Sequence, residues 1–316
     1  MIVHVERAGL LTTVQDLGRW GQQAEGVSVA GPMDVFSHRL ANLLVGNRGD
    51  AATLEVTLAG PALAFADDRR VAVAGAEFEL AVEGRAVPAN VVFEVGAGER
   101  LVFGRRLRGA RAYVAIAGGI DTPVVLGSRA THLPSGLGGF HGRALKAGDR
   151  LPLAQPVAAG SGVSRTGVRP PDGGPHMPEG GPCTVRVLPG PQLDRFTADA
   201  LGALQSAPYR IASDSNRQGY RLVGPGLRHA GGAEIVSDAT PFGALQVPAS
   251  GQPILLMADR QTTGGYAKIG TVIAADLPLA GQLAPGDEVG FATCTLEEAR
   301  AALIAQERSL AAAGGA

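Results

Sequence analysis

Lysine is almost missing from this sequence: of its 28 basic residues only Lys146 and Lys268 are lysines, a bias typical of genomes rich in G and C. Cysteine is equally scarce. Cys183 and Cys294 stand far apart and form no CxxC, so neither a zinc site nor a thiol redox motif can be assembled from them. An excess of charge is missing too, because 28 basic against 29 acidic residues leave a formal net charge of −1 and no electrostatic basis for binding a phosphate backbone or an anionic membrane. Long apolar runs are missing: the stretch Tyr113 to Ile120 is broken by glycines well short of the roughly 20 residues a membrane span needs. The opening residues, MIVHVERAGLLTTVQD, run into acidic and polar side chains where a signal peptide needs an apolar core. A cytoplasmic protein is expected, with neither nucleic acid nor membrane as a partner. The sequence also has no GxxxxGK[ST] loop, no Met-Lys-Met carrier segment and no GxSxG elbow. His4, His38, His132, His141, His176 and His229 are scattered without ligand spacing, so no metal site is expected.

What is present is ample apolar content, 45% of 316 residues, enough for two domains with real cores. Short stretches rich in Val, Leu and Phe recur between glycines, as in RVAVAG, EFELAVEG, ANVVFEVGAG, ERLVFG and AYVAIAGG. This spacing predicts many short strands, a barrel or sandwich and not alternating βαβ units. A small pattern returns in AGERLVF (97–103), AGDRLPL (147–153) and PGDEVGF (285–291): glycine followed by an acid, which suits a tight turn whose carboxylate bonds nearby amides. Leu-x-Gly-Pro-x-Leu occurs at 58–63 and again at 222–227, a second hint of two related β modules. Between 154 and 182 the chain is nearly half Gly and Pro and reads as a linker. The expected organisation is an N-terminal β module (1–153), this linker, and a C-terminal β-barrel module with a terminal helix (183–316). Helices should be few. Asp34 to Val45 and Asp194 to Leu204 have helical spacing, and Thr295 with Glu298 forms a capping box before a helix whose Leu296, Leu303 and Leu310 repeat on one face.

Several polar clusters could carry chemistry. Gln15, Asp16 and Arg19 fall within five positions at a glycine-containing turn, where an Asx turn with a surface ion pair is the competing reading. Asp34 stands where a helix begins and suits an N-cap as well as a ligand contact; Arg39 and Asn42 are neighbours on that helix, and Glu55 interrupts an apolar strand. Asn216 and Arg217 belong to a polar loop that could equally be a hairpin. The strongest cluster joins Gln246 to Asp259, Gln261, Thr262, Tyr266 and Lys268, with Gly264-Gly265 read as a bend whose amides could hold an anionic oxygen. The basic run 105–111 is read as a solvated hairpin.

The strings TTVQDLGRWG, GPMD, RLANLLVGN, LEVTLAGP, RAYVAIAGGID, VLGSRATH, LPGPQLDRF, SDSNRQGYRLVGP, ALQVPASGQPI and DRQTTGGYAKIGTV, in this order between about residues 5 and 291, resemble the family of the 5-oxoprolinase C subunit. The family is also known as KipA or allophanate hydrolase subunit 2 and is biotin-dependent-carboxyltransferase-like. Gln218 stands where it more often has methionine. The resemblance implies a mainly β fold of two cyclophilin-like β-barrel modules with a few short helices. It implies a smaller KipI-like partner, a third subunit of the LamB/YcsF type, and an ATP-dependent complex that opens the lactam of 5-oxo-L-proline to L-glutamate. Carboxyl transfer from biotin to urea or a related amide, and a regulatory role binding a KipI-type kinase inhibitor, are the alternatives. Residue chemistry and resemblance together nominate Gln15, Asp16, Gln246, Asp259 and Gln261 as catalytic, and Arg19, Asp34, Asn42, Asn216, Arg217, Thr262, Tyr266 and Lys268 as substrate-binding.

Overall fold

A computed structural model describes residues 1–156, 177–178 and 180–314. Most of the Gly/Pro-rich stretch expected as a linker, and His176 with it, lies outside the described residues. The chain divides into two compact units: Met1–Trp20, Ala30–Gly174 and Glu307–Ala316 form one, Gly21–Val29 and Pro175–Gln306 the other. Both are built mainly from strands, as the sequence suggests. Among the described residues no helix is long and apolar enough to cross a membrane.

In the first unit the strands are β1 (Ile2–Arg7), β2 (Leu11–Gln15), β3 (Thr53–Thr57), β4 (Ala62–Phe65), β5 (Arg69–Val82), β6 (Arg85–Ala86), β7 (Val92–Val95), β8 (Arg100–Ile116) and β9 (Arg150–Pro152). They form one nine-stranded sheet, with β8 pairing β3, β4 and β5 along its length. Register shifts between Gly75 and Leu80 bend β5 against β8, which lets the sheet curl without closing into a ring. Alternation along the central strands divides the core. Val71, Val73, Val114 and Ile116 join the main apolar cluster, while Ala72, Ala74, Tyr113 and Ala115 face helix α1 (Val35–Val45). Alanine on that face leaves room for Phe36, Leu40 and Leu44 of the helix. The helix starts where the sequence places it: the Asp34 carboxylate accepts the Ser37 N–H at 2.8 Å, and Gly46, at φ 82°, ends it.

The second unit contains β10 (Cys183–Pro189), β11 (Tyr209–Ile211), β12 (Gly219–Val223), β13 (Glu234–Ala239), β14 (Ala244–Gln246), β15 (Ile254–Leu256), β16 (Thr263–Tyr266), β17 (Lys268–Val272) and β18 (Glu288–Thr293). Seven of them close a barrel in the order β10-β17-β14-β15-β12-β11-β18, sealed by the parallel pairing of β10 with β18. The two others, β13 and β16, form a separate ribbon.

One helix expectation needs correction. Asp194–Leu204 is not one helix: a 3-10 turn (Leu193–Arg195) is followed by extended Phe196 and then helix α2 (Ala200–Ser206). Phe196 leaves the helical path to bridge and stack on His229, with ring centroids 4.8 Å apart, and tertiary packing overrides the local spacing. A short helix, α3 (Leu277–Gly281), comes next in the chain. The terminal helix α4 (Leu296–Gly314) has its capping box, with the Thr295 N–H on Glu298 at 2.7 Å and the Glu298 N–H on Thr295 at 3.2 Å. Its leucines are unequally buried, Leu296 being 67% exposed and Leu310 only 2%. The helix packs through small side chains, Ala299 within the second unit and Ala313 beside Leu310 within the first.

The glycine–acid pattern is one turn used three times. Gly98, Gly148 and Gly286 have φ of 84°, 89° and 95°, and each following acid accepts an amide three residues back, Glu99 from Gly96, Asp149 from Lys146 and Asp287 from Ala284. A Cβ on Gly286 would meet no atom within 4 Å, so a side chain there is opposed by backbone conformation alone. Gly286→Ala should therefore lower stability by about 1 to 2 kcal/mol, and Gly286→Asn by less, since asparagine tolerates the left-handed region. Urea denaturation measures this, and an alanine variant as stable as the parent would contradict it.

Candidate functional site

Period-2 alternation on three adjacent barrel strands builds the site. Leu245, Leu255 and Tyr220 pair in register across β14, β15 and β12 and are buried. The next row along, Gln246, Ile254 and Arg221, pairs in the same register and presents its side chains on the opposite face, where all three line a cleft of about 260 Å³. Gln261, Tyr266 and the loop residues Asn216 and Gln218 complete much of its wall.

The two glutamines are coupled. Gln261 donates through Nε2 to Gln246 Oε1 at 3.3 Å, while Gln246 Nε2 is buried and has no hydrogen-bond partner among the described residues. An unmade bond of this kind costs about 1 to 3 kcal/mol, and native proteins retain few of them. Gly264 makes the arrangement possible, since a Cβ there would fall 2.4 Å from Gln246 Nε2. The Gly264-Gly265 pair is not the expected bend. It belongs to strand β16, where Gly264 pairs with Asp238 of β13, so its value lies in the missing side chains and not in an amide nest.

Of the residues nominated from sequence, Gln246, Gln261, Asn216 and Tyr266 come together at this cleft. The others in this unit stand behind it. Arg217 and Asp259, whose side chains are 5% and 1% exposed, form a two-pronged ion pair with bonds of 3.0 and 2.9 Å. Lys268 is buried with its ammonium on Asp238 at 2.7 Å and on the Ala239 carbonyl at 3.1 Å. Thr262 gives its carbonyl to the Thr240 N–H. Arg221 is a cleft residue that the sequence reading missed; the alternation Gly219-Tyr220-Arg221-Leu222, buried at every second position, was the available signal.

The nominated residues of the first unit are held in structural bonds. Gln15 donates to Thr13 and to the Thr131 carbonyl, while its Oε1 is buried with no hydrogen-bond partner among the described residues; Asp16 accepts from Gly18, Ser128 and the Arg129 amide. Arg19 is buried on the Ala130 carbonyl. Asp34 caps α1 and Asn42 ties it to Ala51 and Asn47; Arg39 pairs with Glu307 at 2.5 Å. Glu55, far from lying on an exposed strand face, is buried and accepts from the Met33 amide and the Tyr113 hydroxyl. Burial, and then the Glu55 charge, push the Tyr113 pKa well above its usual value. Among the described residues no group of three or more His, Cys, Asp or Glu could hold a metal ion.

Fold and site together define a mainly β protein with a small polar cleft, rich in carboxamides, on the wall of a closed barrel. The family described as carboxyltransferase domain, subdomain A and B, matches residues 25–293, and the chain belongs to it. It is 40% identical to the C subunit of 5-oxoprolinase from Escherichia coli (strain K12) over 97% of its length and 96% of that protein's. It is 36% identical to the C subunit of 5-oxoprolinase from Haemophilus influenzae, covering 91% and 89% of the two chains. The crystal structure of the Kluyveromyces lactis urea carboxylase superposes with a TM-score of 0.92 at 32% identity, over 99% of this chain but only 29% of that one. The resemblance read from the sequence strings thus extends over nearly the whole chain.

His38 supplies a test of the buried polar layer. Its Nδ1 meets Thr53 Oγ1 at 2.9 Å, and burial lowers its pKa from 6.5 to about 4. Between these values the unfolded chain binds a proton that the folded chain refuses, so stability falls as pH drops through this window, by about 3 kcal/mol once the drop is complete. Relative to His38→Asn, the parent should lose that much more stability between about pH 7 and pH 4. Equal losses in denaturation experiments would show that the ring is not buried and neutral.

Proposed function

We propose that this chain is the C subunit of an ATP-dependent 5-oxoprolinase, a hydrolase acting on a cyclic amide, and that the barrel cleft holds the lactam of 5-oxo-L-proline as it opens to L-glutamate. The observation that carries the reading is the Gln246–Gln261 pair. A carboxamide donates and accepts at once, the complement of a lactam's carbonyl and N–H, and Gln246 has an N–H with no acceptor among the described residues. Addition of water to an unstrained lactam draws negative charge onto the carbonyl oxygen, and preorganised donors stabilise that charge. The two 5-oxoprolinase relatives, alike over almost their full lengths, support the assignment.

The cleft is read as the site of the amide and not of ATP. Arg221 is the one cationic side chain in its wall among the described residues, and it is paired to Asp214. ATP is used by the complex, whose other members are a smaller KipI-like chain and a LamB/YcsF-like chain, and we place the assembly in the cytoplasm. Biotin-dependent carboxyl transfer to a small amide such as urea is a second reading, favoured by the family's description and by the likeness to urea carboxylase. Under it the same carboxamides would hold the amide acceptor.

Glutamate release from 5-oxo-L-proline and ATP, by this chain alone and with its co-encoded neighbours, separates the readings. The isolated chain should be inactive, and activity should appear on reconstitution without any biotin carrier. In the active complex, Gln246→Ala or Gln261→Ala should cost about 2 to 4 kcal/mol of transition-state stabilisation, roughly 30- to 1000-fold in rate, with melting temperature and assembly nearly unchanged. Arg106→Ala, at an exposed strand position, should do little. Full activity in both glutamine variants would remove the cleft from the reaction.

A further inference from the structure

Resting on the reading of the cleft as the substrate site, we infer that Arg221 is its specificity residue, selecting small amides that also carry a carboxylate over uncharged ones. The carboxamide Gln246 and the guanidinium Arg221 stand at opposite ends of one cross-strand row, with Ile254 between them. Adjacent strands lie about 4.8 Å apart, so the two backbone positions are separated by about 10 Å. Long side chains converge from both ends over an apolar floor of Ile254 and Leu256. A five-membered lactam seated on that floor turns its carbonyl to the carboxamide and its carboxylate, carried by the ring carbon on the other side of the N–H, to the cation.

Among the described residues no other cation can take the role in this cleft. Arg217 is committed to Asp259 and Lys268 to Asp238, and neither lines the cavity. Arg221 is held by Asp214 through Nε alone, at 2.9 Å, and no hydrogen bond to its terminal nitrogens is found among the described residues. Both members of this pair are more than half exposed, and an ion pair in water is worth little, so a substrate carboxylate can share or displace Asp214 at low cost. The edge of the guanidinium fork suits a two-pronged carboxylate contact. The Arg221 amide, bonded to Ser215 Oγ at 3.0 Å, ties the strand to the Asp214 loop and sets where the fork begins. Urea, which has no carboxylate, would gain nothing from this residue.

The test uses the reconstituted complex with wild-type chain, Arg221→Gln, Arg221→Lys and Gln246→Ala. Kinetics with 5-oxo-L-proline are compared with inhibition by 2-pyrrolidinone, the same ring without the carboxylate. Arg221→Gln should raise KM for 5-oxo-L-proline about 10- to 100-fold and leave kcat within about 3-fold, the signature of lost ground-state binding. Arg221→Lys should recover part of the loss, and the inhibition constant of 2-pyrrolidinone should be the same in wild type and Arg221→Gln. An unchanged KM in Arg221→Gln, with turnover still suppressed by Gln246→Ala, overturns the role of Arg221 and keeps the cleft. If neither substitution has an effect, the cleft reading falls and this inference with it. Equal weakening of 5-oxo-L-proline and 2-pyrrolidinone by Arg221→Gln would make Arg221 a structural residue and also overturn the proposal.

Discussion

The buried ion pair between Arg217 and Asp259 is the constraint on which the cleft depends. Removing two charges from water is expensive, and their attraction compensates only when geometry is good and the remaining donors and acceptors are satisfied. Here the guanidinium fork meets both carboxylate oxygens, the Asp259 amide returns to the Arg217 carbonyl at 2.8 Å, and the Met257 amide bonds the Gln218 carbonyl at 2.9 Å. Two loops about forty residues apart are thereby fixed side by side. One carries Asn216 and Gln218 to the cleft and the other carries Gln261.

The same logic separates structural polar residues from those available for chemistry. In the first unit Asp16, Asp34, Asn42 and Glu55 each have partners that account for their burial: a loop amide, a helix start, a helix tether, a tyrosine hydroxyl. Gln15 keeps a buried Oε1 without a partner among the described residues, and the cleft has a similar feature. Gln246 sits in the barrel wall with an N–H unused among the described residues, although Gly264 leaves it room and Gln261 satisfies its oxygen. A donor that the fold holds at the wall of a cleft and does not satisfy is open to a ligand's acceptor.

The fold alone does not choose the chemistry. Proteins named for 5-oxoprolinase and for urea carboxylase resemble this chain over nearly its full length, so the fold by itself does not discriminate between those chemistries. The row Gln246, Ile254, Arg221 is short enough to recognise one small molecule and mixed enough in character to distinguish a neutral amide from an acidic one.

Local chemistry made much of this legible without coordinates. Strand alternation, the cap of α1, the Thr295–Glu298 box and the three glycine–acid turns depend on residues within a few positions of one another, and all stand where the sequence places them. The carboxamides Gln246 and Gln261 were visible as unusual polar groups beside apolar strands. The choice between Arg217 and Arg221 was not, although they are only four positions apart. One is buried because Asp259 lies opposite it, 42 positions along the chain; the other faces the cleft because β12 pairs with β15 in one particular register. Likewise Phe196 leaves a helical pattern for His229, and Gly264-Gly265 becomes a strand because β13 offers a partner. Sequence by itself determined which segments could be strands, turns and helix ends, since those preferences are local. Which charges are sealed in buried pairs and which stay exposed at the cleft was decided by register and long-range packing, which exist only once the barrel has closed.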